Sequence, residues 1–150
     1  MDRMSPIDRV WLMIRMLKEN YDSELSHLQK RKMGSRNRPL TTAEKQECQE
    51  GAKKAVCEIG ISMYQFKKYL EGRYKRTIEN DAIHQAVDKG MEQGLLLWGA
   101  PRRYDINRGA EWQNIMLTEK GFEAISQPGF NLALTTIHLT YVPKPRRGRI

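Results

Sequence analysis

The sequence has few of the side chains that bind metals or form disulfides, with two cysteines and three histidines among 150 residues. Cys48 and Cys57 fall on one predicted helix, and their nine-residue separation places them about 13 Å apart, which excludes a disulfide between them. His27, His84 and His138 have no cysteine or carboxylate partner in a recognisable ligand motif. We therefore expect no metal site, and the two thiols indicate a reducing compartment.

Sequence motifs of the common enzyme classes are also missing. The chain has no phosphate-binding glycine-rich loop, no Gly-x-Ser-x-Gly and no His-Glu-x-x-His. It has no apolar run of membrane-spanning length and no signal-peptide core. These absences predict a protein without enzymatic activity, cofactor or membrane partner, located in the cytoplasm or the nucleus.

Positive charge is what the sequence has in excess. Lysine and arginine number 26 against 18 aspartates and glutamates, which gives a formal net charge of +8. A chain of this length is typical of one domain with its own core. The charge favours polyanionic partners, with DNA as the main candidate and RNA as a further one.

The N-terminal segment predicts a long amphipathic helix over residues 6–32. Ser5 and Pro6 form a typical helix start, and Gly34 a typical end. Its apolar face has two candidate partners, the rest of the chain or a second copy, and docking is favoured because fewer than four clean heptads are present. A homodimer would form through the apolar residues Ile7, Ile14, Leu17, Tyr21 and Leu28.

A basic connector follows this helix, and we interpret residues 29–40 as a loop that is either a solvated linker or an arm contacting phosphates. The predicted division is therefore an N-terminal helix and connector over 1–40, a domain over 41–142 and a basic tail over 143–150. The tail carries Lys144, Arg146, Arg147 and Arg149.

The domain begins with three predicted helices, each followed by a glycine. They cover residues 42–59, 63–71 and 81–93, and we expect them to end at Gly60, Gly72 and Gly94, with Asn80 capping the third. The first two begin with capping boxes.

Strand patterns then replace the helical ones. Leu95 to Trp98 and Trp112 to Leu117 predict a hairpin with a long charged tip. A short helix over 118–125 and a further strand over 132–142 complete the domain.

The order of these elements, with a short strand at Ile61, is that of a winged helix. Residues 61–98 resemble the globular domain of linker histones, and residues 92–125 resemble the wing region of MarR-type regulators. The first resemblance is carried by Lys67-Lys68-Tyr69, Tyr74-Lys75, Lys89-Gly90, Gly94 and Leu96, and the second by the segments EQGLL and MLTEKGFEAI. Both imply an α+β fold of three core helices and a β-hairpin wing, here with an extra N-terminal helix and a C-terminal strand.

The resemblance implies that the third core helix enters the major groove and the wing contacts the adjacent backbone. On that helix Gln85 could contact an adenine edge and Lys89 a guanine or a phosphate. Asp81 and Asp88 lie beside them, and residues 81–100 carry one lysine against three acids, a net charge of −2. This charge is unfavourable for a groove-reading helix.

Stronger positive charge lies on either side of the third helix. We expect phosphate contacts from the helix over 63–71 together with the turn that follows it, and from the wing tip. The candidates are Lys67, Lys68, Arg73, Lys75 and Arg76 in the first group and Arg102, Arg103 and Arg108 in the second.

The sequence therefore predicts a protein that binds double-stranded DNA through phosphate and wing contacts, of a regulator or chromatin type. The alternative is a winged-helix module that binds other proteins, which the acidic helix over 81–93 and the amphipathic N-terminal helix would suit.

Overall fold

A computed structural model describes residues 5–99 and 114–127. Its elements are α1 (Pro6–Met33), α2 (Thr42–Lys54) with a π-helical turn (Ala55–Ile59), α3 (Met63–Tyr74), α4 (Asn80–Glu92), β1 (Leu96–Trp98), β2 (Ile115–Leu117) and α5 (Glu119–Ile125). The predicted α+β class is confirmed, and helices dominate. The hairpin tip, the predicted strand over 132–142 and the tail over 143–150 lie outside the described residues.

Local hydrogen bonds explain where the first three helices begin. The Ser5 hydroxyl accepts the N–H three residues on, at 3.1 Å. Thr41 with Glu44, and Ser62 with Gln65, form complete capping boxes in which each side chain accepts the other residue's backbone N–H. The starts predicted from these hydroxyl residues are confirmed.

The predicted end of α3 at Gly72 is wrong, because the helix continues to Tyr74. Tyr74 is buried, and its hydroxyl accepts a 2.8 Å hydrogen bond from Arg15 of α1. Lys75 then ends the helix in the left-handed conformation, with φ 55°. The N-cap of α4 is Glu79, so the prediction that Asn80 fills this position is also wrong.

Helix α1 contributes to the same core as the elements that follow it. Ile14 and Leu17 are fully buried and share one apolar cluster with residues of α3, α4 and the strands. Docking on the same chain therefore accounts for these two residues. Tyr21 packs edge-on against Phe122 of α5, with ring centroids 5.4 Å apart.

Helix α1 also approaches α2 closely. A Cβ added at Gly51 would lie 2.8 Å from Leu28 Cδ1. Because Ile7, Tyr21 and Leu28 are only partly buried, a homodimer that uses them stays a prediction.

The two strands pair in antiparallel fashion, with Leu96 opposite Leu117 and Trp98 opposite Ile115. The predicted pairing of these two segments is confirmed where the structure describes them. Ile61 adds an isolated bridge to Ile115, with N–H to carbonyl distances of 2.9 and 2.6 Å. Gly60 has φ 76°, and a Cβ there would collide with the Ile115 carbonyl. The bridge thereby fixes the start of α3 beside β2.

Candidate nucleic-acid interface

A groove forms where the chain turns back along α3. The left-handed Lys75 donates its N–H to the Glu71 carbonyl at 3.2 Å, and the Arg76 N–H reaches the Leu70 carbonyl at 3.3 Å. Ile78 then packs against the core. The result is a groove with a volume of about 300 Å³, which we call the α3 groove. It is lined by Tyr64, Lys67, Lys68, Glu71, Arg76, Thr77 and Ile78.

The charge of the α3 groove is positive, with three cations against one carboxylate. Lys68 Nζ lies 3.6 Å from Glu71 Oε1, and both side chains are exposed. An ion pair of this kind contributes little free energy, because water and salt screen it. Lys68 can therefore exchange Glu71 for a phosphate oxygen at low cost.

An aromatic side chain stands at the edge of these cations. Tyr64 is 67% exposed, and Lys68 Nζ lies 5.5 Å from its ring centroid. The sequence predictions did not include Tyr64 or Thr77 in the site. The signal for Tyr64 is its spacing, because positions 64, 67, 68 and 71 fall on one helical face.

Arg73 belongs to the same run of basic residues but turns away from the groove, towards α1. Its Nη2 lies 2.8 Å from Glu19 Oε1, and its guanidinium lies 5.3 Å from the centre of the Tyr69 ring. Glu19 also accepts a hydrogen bond from Arg15, at 3.3 Å. Burial and the nearby Glu19 raise the pKa of Tyr69 above its usual range. The charge of Arg73 thus connects α3 to α1. Lys75 is exposed and does not line the groove.

Comparison with known proteins gives no match. No family model, no curated protein and no solved structure is significantly similar to the chain. The chemistry of its own residues is therefore the basis for any functional conclusion.

The outward face of α4 carries more acidic than basic groups. Gln85 is exposed as predicted, but so are Asp81 and Asp88. Lys89 Nζ lies 3.7 Å from Glu92 Oε1. Neither Gln85 nor Lys89 lines the α3 groove, so the structure does not bring them together with Lys67, Lys68 and Arg76.

The predicted wing contacts Arg102, Arg103 and Arg108 lie outside the described residues. They stay predictions. The same holds for the cations of the tail.

The basic connector is partly occupied by contacts to α2. Arg36 donates two hydrogen bonds of 2.8 Å to the Glu44 carboxylate, and Lys32 forms an ion pair with Glu47. The bonds from Arg36 and from the Thr41 backbone lower the pKa of Glu44 to about 2. The loop predicted over 29–40 is wrong for its first residues, because α1 continues to Met33 and includes Lys32. Lys32 and Arg36 therefore hold the end of α1 and the connector against α2, while Arg38 is exposed.

Metal binding and membrane crossing have no candidate residues in the part of the chain that the structure describes. No group of three or more histidine, cysteine, aspartate or glutamate side chains is placed to hold a metal ion there. Among those same residues, no helix combines the length and apolarity needed to cross a bilayer.

Proposed function

We propose that the protein binds DNA through the phosphate backbone and that the α3 groove is the centre of the contact. The observation that carries this proposal is the convergence of Lys67, Lys68 and Arg76 on one groove. Arg76 joins the two lysines only because the chain reverses after α3. Lysine and arginine side chains grouped in this way displace the counterions of a nucleic acid, which favours association.

The arrangement of elements supports a winged-helix interpretation, and the role that we propose with it is that of a regulator or chromatin protein. The chain runs through α2, a bridging residue at Ile61, α3, α4 and the β1–β2 pair. In a winged helix this order places the second and third core helices beside the wing on one side of the domain. The α3 groove would then belong to the surface that faces the duplex.

The charge distribution favours contacts to phosphates over contacts to bases. Asp81 and Asp88 are exposed on α4 and would repel phosphates at the mouth of a major groove. The groove cations lie on α3 and on the turn after it. Binding should therefore depend on charge and shape more than on base sequence, and it should weaken steeply with salt.

The test compares two double variants with the same loss of charge. Lys67→Gln with Arg76→Gln removes two groove cations, whereas Lys45→Gln with Lys54→Gln removes two exposed lysines of α2. Duplex affinity is measured by fluorescence anisotropy at about 50, 100 and 200 mM salt, a range over which phosphate contacts change affinity strongly.

We expect the groove variant to bind more weakly and its plot of log affinity against log salt to be shallower by roughly 1.8, which corresponds to two phosphate contacts. The α2 variant should stay close to the unmodified protein. Equal losses in the two variants would show that only net charge matters. No binding of duplex at the lowest salt would end the proposal.

A second candidate function, binding to another protein, is favoured by one surface of α4. Met91 is 46% exposed there, and Asp88 and Glu92 lie beside it. Exposed methionine suits an adaptable protein contact. This candidate predicts a folded protein that binds no duplex even at low salt.

A further inference from the structure

Tyr64 is an exposed aromatic residue that the core does not need. It is one of three large apolar side chains exposed among the described residues, with Ile59 and Met91, and the aromatic one of the three. Its neighbours Met63 and Phe66 supply the buried face of α3. The ring instead lies on the helix face that lines the α3 groove.

The cations around this ring determine which ligand it suits. Lys68 lies 5.5 Å from the ring centroid, and Lys67 is one helical turn from Tyr64. Arg76 lines the same groove from the turn after α3. An aromatic ring next to cations is the combination that holds single-stranded nucleic acid, because bases stack on the ring while the backbone follows the positive charge.

A fully paired duplex cannot use such a ring, because its base faces are covered by neighbouring base pairs. An unpaired nucleotide can, since its base is free to leave the stack. Three cations against one carboxylate also favour an anionic strand over a neutral peptide.

From these observations we infer that the α3 groove binds an unpaired nucleotide, with its base stacked on Tyr64 and its adjacent phosphates held by Lys67 and Arg76. The inference rests on the proposed function and narrows it. The protein should prefer DNA that carries a single-stranded extension or gap over the same DNA fully paired.

Three DNA ligands of matched design test this inference. The first is a blunt duplex, the second is the same duplex with a short single-stranded extension, and the third carries an abasic extension of equal length. The second and third have the same number of phosphates and differ only in their unpaired bases. Affinities are measured by anisotropy at one salt concentration for the unmodified protein, Tyr64→Ala and Tyr64→Phe, and thermal unfolding checks that each variant is folded.

We expect the unmodified protein to bind the extended duplex at least about five-fold more tightly than the abasic one, the lower limit for a single base–aromatic stack. Tyr64→Ala should abolish this difference, so that it binds the extended and the abasic ligands equally well. Tyr64→Phe keeps the ring and should keep the preference.

The possible failures are distinguishable. A preference that persists in Tyr64→Ala, or that is missing from the unmodified protein, overturns the inference. If the blunt duplex still binds and this binding falls in the Lys67→Gln, Arg76→Gln variant, the proposed function survives that failure. If none of the three ligands binds, both proposals are wrong.

Discussion

Replacing Leu17 by alanine tests whether α1 is part of the domain core or an interface for a second copy. Leu17 is fully buried and belongs to the same apolar cluster as Phe66 of α3 and Ile83 of α4. The change removes three carbon atoms, which corresponds to about 2.4 kcal/mol of lost transfer free energy at about 0.8 kcal/mol each. The remaining cavity raises the expected loss of unfolding free energy to about 3–4 kcal/mol.

Urea unfolding followed by circular dichroism measures this loss. With a slope of about 2 kcal/mol per molar, the midpoint should fall by about 1.5–2 M and should not depend on protein concentration. Ser26→Ala, at an exposed position on the same helix, serves as the control and should change the unfolding free energy by less than about 0.5 kcal/mol.

Light scattering on the same samples distinguishes the two explanations. If Leu17 faced a second copy, the variant would change from dimer to monomer with little loss of unfolding free energy per chain. A loss below about 1 kcal/mol would be smaller than any typical core truncation. That result would refute the placement of Leu17 in the core of one chain.

Two further predictions concern carboxylates. Glu71→Gln should strengthen duplex binding about two- to five-fold in the anisotropy assay, because it removes a like charge beside the phosphates and releases Lys68; unchanged affinity would show that Glu71 does not face the DNA. The pKa of Glu44 is lowered to about 2 by Arg36 and Thr41, so the stabilisation it gives is present above about pH 4.5 and is lost as the pH falls towards 2. Urea unfolding is measured at about pH 7, about pH 4 and about pH 3. The unfolding free energy should fall less towards acid pH in Glu44→Gln than in the unmodified protein, and equal falls would contradict the assignment.

Helix starts could be predicted from the sequence because capping is a local interaction. Thr41 and Ser62 find their hydrogen-bond partners three residues further along the chain. The end of α3 could not be found in this way. It depends on Tyr74, whose hydroxyl is bound by Arg15, 59 residues away in the sequence, and that contact allows the helix to pass Gly72.

The candidate site likewise combines positions set by local helical spacing with positions set by the tertiary fold. Helical spacing alone places Lys67 and Lys68 on one side of α3. The position of Arg76 depends on the left-handed backbone at Lys75, and the orientation of Arg73 depends on Glu19, 54 residues away. A count of charges treats all these cations as equivalent, whereas tertiary contacts separate Arg73, which binds Glu19, from Lys67 and Lys68, which line the groove.

Tyr64 shows that residue type alone does not tell whether an aromatic side chain is buried. Aromatic residues are usually assigned to the core, and the periodicity of Met63, Phe66 and Leu70 identifies the buried face of α3. Tyr64 falls outside that periodicity. Helical phase, rather than residue type, is therefore the property that could have identified it from the sequence.

The π-helical turn at Ala55–Ile59 affects how this chain should be aligned with any relative. Its closing bond runs from the Gly60 N–H to the Ala55 carbonyl at 2.9 Å, so the turn spans one residue more than a turn of α-helix. A homologue with a single deletion here could form a regular helix and still keep its equivalent of Ile61 opposite the same strand. A one-residue gap between positions 55 and 59 would then mark a local change in winding, with the downstream fold preserved.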